Sequence, residues 1–324
     1  MRKLTVKDVA KEAGVSTATV SRVLNNSGYV SEQVRSQVLA VVKKLNYQPN
    51  SIARSLKQEK TRSIGMIVPD MTNSYFMTIA RQLQRKCMEI DYHLLIIDSE
   101  EDPSKELKAM QVLMEKRVEA IVLAGTGGNQ ETIRAMSNSG IYILLIDRRI
   151  EGITADVVAE NNRVAAQEAT RLLLQHGHRN IGIIKGPQAI HTAVERYAGV
   201  REALVQAGLQ VQQDYVYEGD YSRESGIKAA HYLLNLPEPP TAIFSSNNEM
   251  SYGLYLGMHE LGMDLQDIEV VSFGDLDLSP LFHNRLSVVQ QNPAEIGEKA
   301  GDCIIDRLAR NSRERITPPI VRKY

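Results

Sequence analysis

The apolar positions change rhythm partway along the chain. Up to residue 45 they recur every three or four residues in short bursts. Val6, Val9, Ala10 and Ala13 form one stripe, Val20, Val23 and Leu24 a second, and Val34, Val38, Val41, Val42 and Leu45 a third. That spacing predicts three short amphipathic helices. Thr5-Val-Lys-Asp8 is a capping signature, Gly14 suits the left-handed turn that ends a helix, and Ser16 and Ser31 offer further caps. Asn25-Asn-Ser-Gly28 is a turn cluster. Three helices with a tight glycine turn between the first two predict a helix-turn-helix unit.

From residue 63 onward, short apolar runs alternate with helical patterns. Strands are predicted at 63–68, 93–97, 119–123 and 141–146, with helices at 76–90, 104–116 and 131–137. A second series predicts helices at 162–175, 194–206, 223–234 and 250–261, strands at 181–184, 215–217, 242–244 and 270–272, and a last helix at 293–309. Such alternation implies parallel sheets covered by helices on both faces. Two series imply two doubly wound subdomains with a cleft between them. Ligands of such sheets bind at the carboxyl ends of the strands, so candidate residues are sought just after each strand.

Composition changes this picture in one respect. The chain of 324 residues is 43% hydrophobic and 24% charged, ordinary for a globular protein of two or three domains. The formal net charge is −1. Residues 1–62, however, hold twelve Lys/Arg and four Asp/Glu, a charge of +8, whereas the remainder holds 26 basic and 35 acidic residues, a charge of −9. A basic head on an acidic body suggests that the head meets a polyanion. Cys87 and Cys303 lie far apart without any Cys-x-x-Cys, so neither a disulfide framework nor a cysteine zinc site is expected, and both thiols are read as small apolar groups. The start is charged, and no apolar run reaches the roughly 18 residues of a membrane span. A cytoplasmic location is expected, with no membrane partner.

The second helix of the head leaves Thr17, Ala18, Ser21, Arg22 and Asn25 free to face outward. The early residues of such a helix meet base edges in the major groove. Arg22 can donate two hydrogen bonds to one guanine, while Ser21 and Asn25 suit phosphate oxygens. Thr5, Ser16, Thr19 and Tyr29 complete the DNA-facing candidates on the head. A solvated helix face is the bland alternative, weakened by the charge of the head. Beyond it, Pro49-Asn50 can start a helix from Asn50 to Lys57. That length is marginal for an isolated helix, so something must stabilise it.

The run Thr5-Val-Lys-Asp-Val-Ala-Lys-Glu-Ala-Gly-Val-Ser-Thr-Ala-Thr-Val-Ser-Arg-Val-Leu-Asn-Asn26 resembles the head of the lactose-repressor/galactose-repressor (LacI/GalR) family of bacterial transcription regulators. Val30-Ser31, Asn46-Tyr-Gln-Pro-Asn50 and Ala53-Arg-Ser-Leu56 continue the likeness, which covers nearly the whole chain. The resemblance implies an all-α helix-turn-helix DNA-binding head on an α/β, periplasmic-binding-protein-like core of two parallel-sheet subdomains. It implies a DNA-binding domain at 1–48, a hinge helix and linker at 49–61, and an effector-binding and dimerisation core at 62–324. Within that core one subdomain spans about 62–160 and 292–324, the other about 161–291. The hinge helix that starts at Asn50 would then enter the minor groove at the centre of a roughly palindromic operator, with small Ala53 allowing close approach, Leu56 as the wedge that kinks the duplex, and Arg54 and Lys57 near phosphates.

Tyr75 and Phe76, after the first strand, could stack on a ring-shaped ligand. The resemblance adds Asp147 and Arg148, Arg196 of an R-x-x-G element, Tyr221 and Asn247 as effector contacts. Carboxylate, guanidinium and amide groups framed by aromatics suit a sugar or sugar derivative. One departure stands out. Where the family carries an effector-contacting Asp, this chain has Gly274 in Ser272-Phe-Gly-Asp275, leaving Asp275 to compensate. Arg148, Arg149 and Lys185 leave a sugar phosphate or acid as a second class of effector.

Enzyme readings fare poorly. Gly125-Thr-Gly-Gly128 lacks dinucleotide-loop spacing, and no phosphate-loop, metalloprotease-helix or nucleophile-elbow motif occurs. His176-Gly-His178 reads as a helix-ending turn, and no cofactor or metal is expected. The expectation is a homodimeric, effector-controlled repressor. The alternatives are the same regulator with a protein co-effector, and a soluble sugar-binding protein or sugar-modifying enzyme.

Overall fold

The computed structural model describes residues 4–24, 27–47, 61–264, 267–276 and 286–309. The chain divides into two compact units, Met1–Thr61 and Arg62–Tyr324.

The first unit holds α1 (Val6–Glu12), α2 (Thr17–Leu24) and α3 (Glu32–Lys44). Asp8 accepts from the Thr5 amide at 2.8 Å and from its hydroxyl at 2.7 Å, which fixes the start of α1. Ser16 Oγ accepts from the Thr19 amide at 3.1 Å and so caps α2. Gly14 takes φ +62°, the conformation that lets the chain turn between the two helices. Val9, Val20, Val23 and Val38 meet in a small core, as the apolar stripes require.

The second unit contains two all-parallel sheets. β1 (Ser63–Val68), β2 (His93–Asp98), β3 (Ala120–Leu123), β4 (Tyr142–Ile146) and β5 (Asp156–Val158) run in the order β2-β1-β3-β4-β5. β6 (Ile181–Lys185), β7 (Val216–Glu218), β8 (Ala242–Ser245), β9 (Glu269–Phe273) and β10 (Leu286–Val289) run in the order β10-β9-β8-β6-β7, which from the other edge is the same pattern. Central strands such as Ala120–Leu123 and Ala242–Ser245 are buried throughout, the mark of a sheet covered on both faces.

Helices supply the cover. α4 (Ser74–Glu89) lies on one face of the first sheet, and α5 (Pro103–Glu115) and α6 (Gln130–Asn138) on the other. On the second sheet α7 (Asn162–Gln175) and α8 (His191–Gln206) take one face, and α9 (Arg223–Leu234) and α10 (Asn248–Glu260) the other. The chain passes from the first sheet to the second after β5. After β10 it returns, and α11 (Pro293–Ala309) packs beside α4. Cys87 is buried within this packing and Cys303 partly so, and neither forms a disulfide.

Candidate functional site

A cavity of about 380 Å³ opens between the carboxyl ends of the two sheets. Tyr75, Phe76, Asp147, Arg148, Arg196, Tyr221 and Asn247 all line it. These seven come from five separate segments that follow strands, some in the turn itself and some, Tyr75, Phe76 and Arg196, in the helix that the turn opens, as the geometry of parallel sheets requires.

Asp147 follows β4 in a left-handed turn at φ +62°. Its carboxylate accepts from Tyr75 Oη at 2.9 Å and from Arg148 Nε at 3.3 Å. Burial raises the pKa of the Tyr75 phenol well above its usual value and Asp147 adds to the rise, so Tyr75 stays protonated and donates. Phe76 stands edge-on to Tyr75 at 5.1 Å. Arg148 is only 4% exposed. Its guanidinium makes a two-pronged contact with Glu101 at 2.7 and 2.5 Å and lies 6.0 Å from the Phe76 ring and 5.7 Å from the Tyr221 ring. Burial works against the charge on Arg148, but Glu101 and Asp147 outweigh it and hold the group cationic.

The opposite wall is built by α8 and the turns after β7 and β8. Arg196 donates Nε to Asn162 Oδ1 and Nη1 to the Ser246 carbonyl, each at 2.7 Å, and stacks 3.8 Å from the Phe273 ring. Gly199, one turn further on, explains the R-x-x-G spacing. A Cβ there would meet the Arg163 carbonyl at 2.2 Å, so only glycine lets α8 close on α7 and bring Arg196 within reach of Asn162. Tyr221 sits at φ +71°, with its hydroxyl 3.4 Å from Thr192 Oγ1. Asn247 caps α10 by accepting from Met250 N at 2.9 Å and donates to the Tyr221 carbonyl at 3.0 Å. It therefore frames the cavity and also fixes the fold around it.

Asp275 does not join this group. It is exposed and absent from the cavity lining. Gly274 takes φ +97°, and a Cβ there would meet Gln291 Oε1 at 2.8 Å. Gln291, from the return crossover, lines the cavity in its place and is held by Glu160 at 2.9 Å. Lys185 pairs with Glu218 and stacks over Tyr197, while Arg149 is exposed, so neither lines the cavity.

Sequence reasoning missed one pair at the cleft. Asn73 and Asn248 exchange reciprocal amide hydrogen bonds, both 3.2 Å, and both residues are buried. Asn73 begins α4 and Asn248 begins α10, so the pair joins the two subdomains directly. His176 and His178 fall outside the site. They end α7 and share Glu269, at 2.7 and 3.0 Å.

On the head, Thr17, Ala18 and Arg22 are exposed on α2, and Ser21 and Thr19 are half-buried. Tyr29 is 93% exposed, an unusual cost for an aromatic ring in water. Thr5 and Ser16 serve as caps and remain exposed. Asn25, Asn50, Ala53, Arg54, Leu56 and Lys57 lie outside the described residues.

A helix-turn-helix head and a two-subdomain α/β core with a polar, aromatic-walled cleft define a ligand-responsive DNA-binding regulator. Family models concur. Residues 5–50 match bacterial regulatory proteins of the lacI family, and residues 61–323 match the periplasmic binding proteins and sugar-binding domain of the LacI family. The ribose operon repressor of Escherichia coli K12 is 33% identical over 98% of both chains. The HTH-type transcriptional repressor PurR of Photobacterium profundum is 31% identical over 96% of this chain and 94% of its own. A solved LacI-family regulator from Silicibacter pomeroyi superposes with a TM-score of 0.83 at 27% identity, covering 99% of this chain and 96% of that one. The chain belongs to the LacI family of bacterial transcription regulators. It is a DNA-binding repressor with an effector-sensing core and not an enzyme.

Proposed function

We propose that this chain is a cytoplasmic, homodimeric repressor whose operator affinity is set by a sugar or sugar derivative in the cleft. Residues 1–48 read DNA, 49–61 form the hinge, and 62–324 sense the effector and dimerise. Thr17, Ala18 and Arg22 meet base edges, Tyr29 lies against the duplex, and the hinge residues enter the minor groove of a roughly palindromic site. One observation carries the effector reading. Seven side chains from five separate segments converge on one cavity, with two buried guanidiniums and three aromatic rings held in fixed positions. Fixed hydrogen-bonding groups beside apolar ring faces suit a polyhydroxylated ring. The name of one relative, the ribose operon repressor, favours a small sugar.

Effector binding changes the closure of the two subdomains and thereby the spacing of the paired heads. Effector and operator affinities must then be coupled by one factor in both directions. Footprinting over the promoter nearest the protein's own gene, with and without a sugar panel, tests this. A palindromic protected site that weakens at least tenfold for Arg22→Ala, and that responds to one panel member, is expected. Unchanged protection by Arg22→Ala would remove the role assigned to α2.

A further inference from the structure

Six carboxylates line the cavity, Asp70, Asp98, Glu100, Glu101, Asp147 and Asp220, against two guanidiniums and no lysine. The walls therefore carry a formal charge of four net negatives. Both guanidiniums are already engaged. Arg148 holds both oxygens of Glu101 and touches Asp147. Arg196 is bonded to Asn162 and Ser246 and pressed on the Phe273 ring. A phosphate entering the cleft would find Arg148 already ion-paired, Arg196 committed to the Asn162 amide and the Ser246 carbonyl, and a surplus of like charge. Helix N-termini offer it little instead. α4, α5, α9 and α10 start beside the cavity, and each is capped by its own side chain: Asn73, Asp102, Ser222 and Asn247. α8 has no such cap, but Thr192 in its first turn is already 3.4 Å from Tyr221 Oη.

Glu101 owes its position to backbone geometry. Glu100 and Glu101 are consecutive non-glycine residues at φ +49° and +53°, a costly conformation that surrounding contacts must enforce. Asp98 supports it by accepting from the Glu100 amide at 2.8 Å. The strained turn delivers the Glu101 carboxylate to Arg148, across 47 residues of sequence.

Resting on the effector reading above, we propose that this cleft selects a non-anionic polyol and rejects phosphorylated or acidic sugars, with Glu101 setting that choice by occupying Arg148. Free Arg148 would be a two-pronged phosphate receptor, since guanidinium geometry matches that of a phosphate. Paired with Glu101, it is a neutral unit whose remaining role is to orient Asp147 toward sugar hydroxyls.

The test is calorimetric titration and thermal shift of the full chain with D-ribose, glucosamine, ribose 5-phosphate and inorganic phosphate. At least one uncharged or cationic probe should bind, at least a hundredfold tighter than either phosphate. Glu101→Gln should raise phosphate or phospho-sugar affinity at least tenfold while weakening the uncharged ligand. Should Glu101→Gln fail to fold, Asp98→Asn should narrow the ratio severalfold, most clearly at low salt. Wild-type protein that binds ribose 5-phosphate as tightly as any uncharged sugar would overturn the proposal and leave the effector reading intact. If no probe of any charge stabilises the protein, the effector reading itself falls. A phosphate affinity unmoved by both substitutions would strip Glu101 of any part in the selection.

Discussion

The Asn73–Asn248 pair makes a quantitative demand. Asn248→Ala removes two neutral amide hydrogen bonds of 3.2 Å between buried groups on opposite subdomains. Each such bond has a net worth of about 1 kcal/mol, because the open cleft returns both amides to water. The closed form should therefore lose about 2 kcal/mol, and at 1.4 kcal/mol per tenfold the open–closed equilibrium shifts roughly 30-fold. Asn73→Ala should cost more, since Asn73 Oδ1 also caps α4 through Tyr75 N at 3.0 Å, and losing a cap adds about 1 kcal/mol. A ligand that needs the closed form loses apparent affinity by the fall in its population, up to the same roughly 30-fold. Urea unfolding followed by circular dichroism suits a chain without tryptophan. A double-mutant cycle should return a coupling of about 1–2 kcal/mol, since directly contacting residues couple in this range. Coupling below about 0.3 kcal/mol, the level of independent sites, would refute the latch, as would Asn248→Ala with unchanged effector affinity.

Three further outcomes follow from the same geometry. Gly199→Ala places a Cβ 2.2 Å from the Arg163 carbonyl, so α7 and α8 must separate; about 3 kcal/mol of stability and some 6–12 °C of melting temperature should be lost, together with effector binding through Arg196. Glu269 is pushed up by burial, but hydrogen bonds from His178 and His176 outweigh this and hold its carboxyl below the usual 4.5. Its folded pKa being depressed, its stabilisation is present above pH 4.5 and is lost as pH falls through the folded value, so Glu269→Gln should flatten the acid limb of a stability–pH profile. Operator affinity should fall steeply with salt, since each neutralised phosphate contributes a slope of about −0.9, and a flat dependence would contradict contact through the +8 head.

Much of the fold is legible because the chain punctuates its helices. The helices at 162–175, 223–234 and 293–309 show in sequence the bounds the structure gives, and the first two start at side-chain caps, Asn161 and Ser222. α8 begins at His191 and not at 194; the added residues His191, Thr192 and Ala193 include no large apolar side chain to mark them in the sequence. β5 and β10 escape the sequence reading altogether. They are edge strands of three and four residues, too short to show a period. The same contrast holds at the site. Tyr75, Asp147, Arg196 and Tyr221 can be placed by motif, and the structure brings them together. Asn73–Asn248 spans 175 residues and Arg148–Glu101 spans 47, so no local pattern announces either pair. The acidic run Asp98-Ser-Glu-Glu-Asp102 does carry a usable signal, because it sits directly after a strand, where cleft residues are expected.

The two sheets share one strand order, and with it one turn. After β4, the amide of Asp147 donates to the β5 carbonyl of Val158 at 2.9 Å; after β9, the amide of Gly274 donates to the β10 carbonyl of Val289 at 3.0 Å. Both residues adopt a left-handed backbone, at φ +62° and +97°. They are one position in a duplicated plan, seen twice across the cleft. In the first copy it carries a carboxylate anchored by Tyr75 and Arg148; in the second it carries nothing, and a glutamine from another segment fills the gap. The cleft has thus inherited symmetric walls and furnished them unequally. A bound ring would meet the anchored Asp147 carboxylate on one side and the neutral amide of Gln291 at the matching position on the other, so the scaffold can tell the two faces of its ligand apart.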